Sequence, residues 1–371
     1  MNRILLRLKQ TPRISFCGRI SKLSNSYYVK SDERAFMETF PEVIQVLMNS
    51  PWCLQVPSFA DHYKELIKYT VLKERRFRPS IVMEAYRAME SPENFSKEKL
   101  HLVTIFAWSI ELMQSALITL DDIWDQSPMR GNDIPWYKKP NIGLTGINDG
   151  VILYESAFSL IKTYFSSQNV YTALMETLHQ LSVGTAIGQY LDWKCKRDSK
   201  PTFENFNMQT YRGIARFKTA SALVETPFKG IRILTNNLPI PNSSEDVFME
   251  LGVACQIDND ILDTYNEKGE VRHQVGSDIR EGACTWPAIQ VLESGNKEMI
   301  RKFKQNYGRP QLECENEIIK IFEEFRIFGK YRTYCQTTRG RLEKRAREME
   351  PSLQRAILAV TENVLPISAY I

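Results

Sequence analysis

Histidine and paired cysteine are what this chain has least of. Only 4 His occur in 371 residues, and the 7 Cys (17, 53, 195, 255, 284, 314 and 335) contain no CxxC pair. Neither a zinc site nor a disulfide framework is indicated, and the odd, unpaired set suits a reducing compartment. Long uncharged apolar runs are missing too. No stretch approaches the roughly 18 such residues that read as a spanning helix, so no transmembrane segment is expected. Strand-type alternation is hardly seen, and no low-complexity linker or short-period repeat divides the chain. What is there is ordinary for a folded protein, 43% hydrophobic and 25% charged residues, which excludes disorder.

Acidic residues are lacking in one region. Residues 1–31 hold seven basic residues (Arg3, Arg7, Lys9, Arg13, Arg19, Lys22 and Lys30) and no Asp or Glu, so a formal charge of +4 hides about −3 on the remainder. The segment interleaves Ile4, Leu5, Leu6, Leu8, Ile14 and Phe16 with arginine and serine. It reads as an organelle transit peptide, pointing to the mitochondrion, or else as a basic arm on a cytoplasmic protein. No interleaved aromatic stripe or reader motif follows, so no nucleic-acid partner is expected. The chain divides into an extension, 1–31, and a helical domain, 32–371.

From Glu33 onward apolar residues recur at helical spacing, as in Phe40, Val43, Ile44, Val46 and Leu47, then Val103, Ile110, Met113, Leu117 and Leu120. Breakers such as Pro51, Pro57, Pro92, Asn207, Pro227, Gly295 and Pro310 separate about eight to eleven helices, which predicts an all-α fold, one large bundle. Val103 to Asp121 is apolar nearly all round, the mark of a helix inside a bundle. Segment 134–148 reads as a structured loop at the bundle mouth, packed by Trp136 and Tyr137.

That apolar helix ends in Asp121, Asp122, Ile123, Trp124, Asp125. Asp121 and Asp125 lie one turn apart, about 6 Å on one face, where like charges repel unless cations intervene. Mg²⁺ suits the place, since it takes few carboxylates and fills its shell with water and phosphate oxygens. A second acidic run closes another apolar helix at Asp258, Asn259, Asp260 and Asp263, with Glu267 following. Asn259, Asp263 and Glu267 are spaced to present three oxygen ligands along one face. Two acidic helix ends around a cavity imply metal ions neutralising a diphosphate, with Arg130, Arg216, Lys218 and possible contributions from Arg75 and Arg78 completing the cradle.

The chain resembles the farnesyl diphosphate synthase family from about Phe36 to at least Phe325. The resemblance rests on Glu111 to Asp125, Gly188-Gln189 with Asp192, the Arg216/Lys218/Thr219 run, Gln256 to Asp263, Gly276 to Ile279 and Cys284-Thr285-Trp286. It implies the all-α isoprenoid synthase fold around a central active-site cavity, a homodimer and a prenyl diphosphate substrate. Asp121, Asp125, Asn259, Asp263 and Glu267 are then the ligands of three Mg²⁺ ions. Arg130, Arg216, Lys218, Thr219 and Gln256 hold the substrate diphosphate, with Asp121, Asp125, Arg130 and Lys218 as the catalytic set. Ala116 and Leu117, where the family often has aromatic rings, and Gln189 shape the cavity. Trp108, Trp124, Tyr190, Phe217 and Tyr265 are candidates to face a carbocation.

Several positions depart from the family. The glycine-glycine-lysine element of the isopentenyl diphosphate site is replaced by Lys73, Glu74, Arg75, Arg76, Phe77, Arg78, leaving Arg75 and Arg78 as a remnant. Arg130 is followed by Gly131 instead of a second arginine, two expected lysines are Gln274 and Ala283, and the second motif begins with Asn259. These changes make the chain look like the insect terpene synthases derived from this family. They predict a lyase that ionises one prenyl diphosphate, farnesyl before geranyl, and releases a sesquiterpene hydrocarbon. The alternatives are a prenyl diphosphate synthase that condenses isopentenyl diphosphate with an allylic diphosphate, and an inactive partner subunit.

Overall fold

Prolines and polar caps cut the apolar periodicity into sixteen α-helices among the described residues from Phe40 onward. The computed structural model describes residues 34–72, 77–130, 133–197, 200–235, 244–266, 268–272 and 277–365. The basic extension 1–31 lies outside them. A helical turn at 34–38 leads into α1 (Phe40–Met48), α2 (Pro51–Gln55), α3 (Pro57–Val71) and α4 (Phe77–Met89). The long α5 (Lys97–Trp124) follows, then α6 (Gly146–Phe165), α7 (Tyr171–Lys194), a hairpin of β1 (Lys196–Arg197) and β2 (Lys200–Pro201), and α8 (Met208–Ile214). α8 runs without a break through a π-helical stretch, Ala215–Glu225, into α9 (Thr226–Leu234). The C-terminal part is α10 (Glu245–Thr264), α11 (Asp278–Glu281), α12 (Trp286–Leu292), α13 (Lys297–Asn306), α14 (Leu312–Glu324), α15 (Ile327–Ala346) and α16 (Pro351–Val364).

Local chemistry sets these boundaries. Ser50, Ser96, Asn207, Thr285 and Asn296 each accept a backbone N–H from three residues on, capping α2, α5, α8, α12 and α13. More helices form than the periodicity predicts because Pro51 and Pro57 start new ones at their first turn. Pro227 departs from expectation in the other direction. It sits in the first turn of α9, where a missing N–H is tolerated, and the helical path continues across it.

At about 42 Å, α5 is the axle of the bundle. It packs along α6 and also touches α4, α9, α3 and α7. Among the described residues it is the one helix long and apolar enough to cross a membrane, yet 78% of its most apolar window is buried inside the protein. Burial on all sides explains its composition. The π-helical stretch lies between α7 and α10.

Trp108 belongs to this core and does not face a carbocation. It is fully buried, its ring stacked on Phe36 at 3.9 Å, and its indole N–H donates to Thr39 Oγ1 at 2.8 Å. Tyr265 is likewise buried, against Phe328. Trp124 and Tyr190 are exposed, and Phe217 is half-buried beneath the Arg216 guanidinium. The segment after Asp133 is the structured loop that was expected. Trp136 is buried with its indole N–H on Asp149 Oδ2 at 2.7 Å, the other Asp149 oxygen meets His62 Nε2, and Tyr69 OH donates to Ile134 O.

Candidate active site

Both α5 and α10 end in carboxylates and have no basic residue in the last turn. Negative side chains thus stand at the negative end of each helix dipole, an arrangement that is unfavourable until cations arrive. At the end of α5 the carboxylates divide. Asp122 turns inward, its side chain 4% exposed, and Arg130 grips it through Nε at 3.0 and 3.3 Å and through Nη2 at 2.5 Å. Burial raises the Asp122 pKa, and the Arg130 contact works against that rise. Arg130 is therefore engaged by Asp122, with Nη2 3.8 Å from Asp121. Asp121 stands between Arg130 and Lys218, and Asp125 lies 3.8 Å from Lys196.

Lys218 meets them there. Its ammonium donates to Asp192 Oδ2 at 2.8 Å and to Asp121 Oδ1 at 3.2 Å. Burial opposes its charge, but Asp192 and Asp121 outweigh burial and push its pKa far up, so it stays protonated. Asp192 is lowered despite its burial, because Lys218 and Lys196 stand beside it. Asp125 rises to about 6 through burial, with Asp121 and Asp192 adding repulsion against the pull of Lys196 and Lys218.

The helices approach closely enough for this because glycines flank the π-helical stretch. A Cβ on Gly188 of α7 would stand 2.6 Å from the Lys218 nitrogen, and one on Gly252 of α10 would stand 2.0 Å from the Ala220 Cβ. Successive residues of the stretch then serve different neighbours. Lys218 points to α5, while Thr219 Oγ1 donates to Gln256 Oε1 at 2.5 Å on α10. Arg216 lies on the opposite side, 3.6 Å from Glu245 Oε2 and away from the acidic ends.

On α10 the residues of the acidic run differ in burial. Asn259 is exposed, Asp263 is half-buried and Glu267 falls outside the described residues. Asp258 and Asp260 are both buried, Asp258 accepting from Tyr331 OH, and Asp260 stands about 100° round the helix from Asn259. It accepts from Tyr211 OH at 2.7 Å, from the Trp286 N–H at 2.8 Å and from Gln256 Nε2 at 2.8 Å. Burial lifts its pKa to about 7 against these three bonds. Asp278, at the start of α11, is raised by burial and by Asp263, Asp260 and Glu281. Among the described residues no three His, Cys, Asp or Glu side chains converge as a metal-holding group. The five-ligand set drawn from the sequence is divided between two helix ends, and Lys196 interacts with Asp125 at the first of them and with Asp278 at the start of α11.

The remaining candidates are scattered. Arg78 lies 3.8 Å from the buried Glu111, ten residues or about 15 Å before Asp121 along α5. One turn on, Gln114 Oε1 is buried without a hydrogen bond, as is Arg78 Nε. Arg75 falls outside the described residues. Ala116 is fully buried, whereas Leu117 and Gln189 are half-buried. Sequence reasoning passed over Lys196, Asp260, Asp278 and Tyr211. For Asp260 the signal was present, since it stands four residues after Gln256 on the same face.

Comparison with known proteins decides the family. Residues 60–325 match the family model for polyprenyl synthetase. The chain belongs to the polyprenyl synthetase family. Farnesyl pyrophosphate synthase of Gallus gallus is 27% identical over 321 residues, 85% of this chain and 87% of that protein. The same enzyme of Kluyveromyces lactis is 29% identical over 332 residues, 87% and 94% respectively. The crystal structure of T. brucei farnesyl diphosphate synthase superposes with a TM-score of 0.83 at 22% identity, covering 90% of this chain and 99% of that one. The fold is therefore the all-α isoprenoid synthase fold.

These findings overturn the lyase assignment. The relatives that match over nearly their whole length are farnesyl pyrophosphate synthases, and none of those named here is a terpene synthase. The departures at residues 73–78, Gly131, Asn259, Gln274 and Ala283 were weighed as lost function. Of these, residues 73–76, Gly131 and Gln274 lie outside the described residues, Asn259 is exposed and Ala283 is half-buried.

Proposed function

We propose that the chain is a prenyl diphosphate synthase that condenses isopentenyl diphosphate with an allylic diphosphate. The observation that carries this reading is the likeness to farnesyl pyrophosphate synthases over about 85% of the chain. In the reaction the allylic C1–O bond breaks, diphosphate leaves with the electron pair, the isopentenyl double bond attacks C1, and a proton is lost from the adjacent carbon. Lys218, held charged among carboxylates, stabilises the departing diphosphate. Arg130 fixes the last turn of α5 through Asp122, and Thr219 with Gln256 offers polar contacts across from it. The buried, unbonded Arg78 Nε and Gln114 Oε1 support a polar second-substrate site along α5.

The donors present suit a hard cation. They are all oxygens, they stand at dipole ends, and Asp125 is raised by burial and by the repulsion of Asp121 and Asp192. Asp121 and Asp125 on one side, and Asp263 with Asn259 and Glu267 on the other, would hold three Mg²⁺ ions, the rest of each shell being water and diphosphate. When bound, Mg²⁺ supplies charge that neutralises the leaving group. The protein's part is to align Asp121, Asp125 and Lys218 and to exclude water from the cation.

A homodimer is part of the reading. Leu144, Ile147 and Val151 are 72%, 48% and 50% exposed along one face at the start of α6, and a second copy of this chain would cover them. We place the catalytic domain at 32–371, with 1–31 as an extension directing the protein to mitochondria or left as an arm in the cytoplasm. Incubating the full chain with Mg²⁺, isopentenyl diphosphate and dimethylallyl or geranyl diphosphate tests the central claim. A longer prenyl diphosphate is expected. No condensation with either allylic partner would sink it.

A further inference from the structure

The hairpin after α7 and the loop from Asp278 to Cys284 are fastened together, and the fastening fixes where Lys196 points. Pro201 packs so closely on Gly282 and Gly308 that a Cβ on either would stand 3.0 or 2.6 Å from its ring. The Thr202 N–H donates to Cys195 O at 2.7 Å, the Gly308 N–H donates to Ile279 O at 2.9 Å, and the buried Cys195 and Cys284 thiols interact. Lys196 stands directly opposite Pro201 in the hairpin. Its backbone is therefore clamped to the loop that carries Asp278.

From this anchor the side chain, 16% exposed, brings its ammonium to 3.8 Å from Asp125 Oδ1. That is too long for a hydrogen bond, so the contact leaves donors available for another acceptor. Burial works against the charge, but Asp192, Asp125 and Glu281 outweigh it and hold the Lys196 pKa above the usual lysine value. Of the other cations, Arg130 is bonded to Asp122 with Nη2 3.8 Å from Asp121, Arg216 lies 3.6 Å from Glu245 and Arg78 lies 3.8 Å from Glu111. Lys218 and Lys196 join Arg130 among the carboxylates of the first acidic end, and they come from different elements.

We propose that Lys196 is a diphosphate-binding residue, its ammonium contacting the leaving group of the allylic substrate from the hairpin side while Lys218 contacts it from the π-helical side. The inference rests on the reading that places a diphosphate between the acidic ends. It also accounts for Ala283, where the family resemblance led us to expect a lysine. Residue 283 adjoins Cys284 and so lies beside the root of Lys196, which delivers a positive charge to the same place from another segment.

The test is calorimetric titration of the full chain with inorganic diphosphate in the presence of Mg²⁺, alongside KM for the allylic substrate. Lys196→Met should weaken diphosphate binding by roughly tenfold, the loss of one charge-assisted contact, with KM rising in step. Lys196→Arg should bind nearly as the parent does, and Ala283→Lys added to Lys196→Met should restore binding. A melting curve checks folding, and should Lys196→Met not fold, Lys196→Gln takes its place. Unchanged binding in the neutral variant overturns the proposal. So does tighter binding, the sign of a lysine that merely competes with Mg²⁺ for Asp125. Binding is read without turnover, so the two claims fail separately. A parent that binds diphosphate through Lys196 yet never condenses refutes the proposed function alone, and a parent that condenses while the neutral variant binds normally refutes this inference alone.

Discussion

The backbone nitrogen of Lys218 lies against Gly188, 2.6 Å from where a Cβ on residue 188 would stand. Backbone cannot yield as a flexible side chain does, so Gly188→Ala must push α7 and the π-helical stretch apart. We expect a stability loss of about 1–3 kcal/mol, typical of overpacking, together with a larger fall in kcat than in substrate affinity. Thermal melts and steady-state kinetics on the same preparation check both.

Lys218 joins Asp192 to Asp121. Replacing it with Met leaves two carboxylates facing each other and removes a charge that the transition state needs. Single-turnover condensation should slow by about 10²-fold or more, with the melting temperature changed little in the presence of Mg²⁺. A rate within a few-fold of the parent would remove Lys218 from the catalytic set.

Asp122 is buried and Arg130 is its cation. Arg130→Ala should destabilise the protein by about 1–3 kcal/mol through the carboxylate it leaves behind, and Asp122→Asn in the same chain should recover part of that loss. A denaturant titration of the two single variants and the double variant measures the coupling.

The rise of Asp125 to about 6, from an ordinary value of 3.8, has a sign that can be tested. The folded protein binds the Asp125 proton more tightly than the unfolded chain does, so this contribution to stability is complete below about pH 4 and lost as pH climbs through 6. Chelator-treated protein should lose that increment across this window. Asp125→Asn should flatten the curve, and Mg²⁺ should reverse it at neutral pH.

Leu117 stands one turn before Asp121 on the same face of α5, half-buried. On the proposed function, a prenyl chain whose diphosphate end sits at Asp121 runs past it. Leu117→Phe should shorten the products and Leu117→Ala should lengthen them, as mass spectrometry of the prenyl diphosphates would show.

The helical class was legible because it depends on local periodicity, and α5 and the two acidic helix ends followed from spacing alone. The site was less so. Gln256, Thr219 and Lys218 could be named from motifs, yet that Arg216 turns to Glu245 two residues from Lys218 depends on π-helical winding, which no period in the sequence announces. Asp260 is buried and Asn259 exposed, one step of helix phase apart, and the spacing alone did not mark Asp260 as the centre of a hydrogen-bond network. Lys196 was invisible for another reason. Its importance arises from Pro201 packing on Gly282 and Gly308, residues some 80 to 110 positions downstream. The departures from the family misled in the same way, since a charge missing at Ala283 says nothing of one supplied by another segment.

The length and apolar character of α5 have a cost before the fold exists. While the chain emerges from the ribosome, this helix is complete well before α6, α9 and the π-helical stretch can shelter it. During that interval it resembles a membrane-directed segment to any targeting or chaperone system that reads hydrophobicity. Production of this protein should accordingly depend on holdase capacity and on dilution during refolding, more steeply than its final stability suggests.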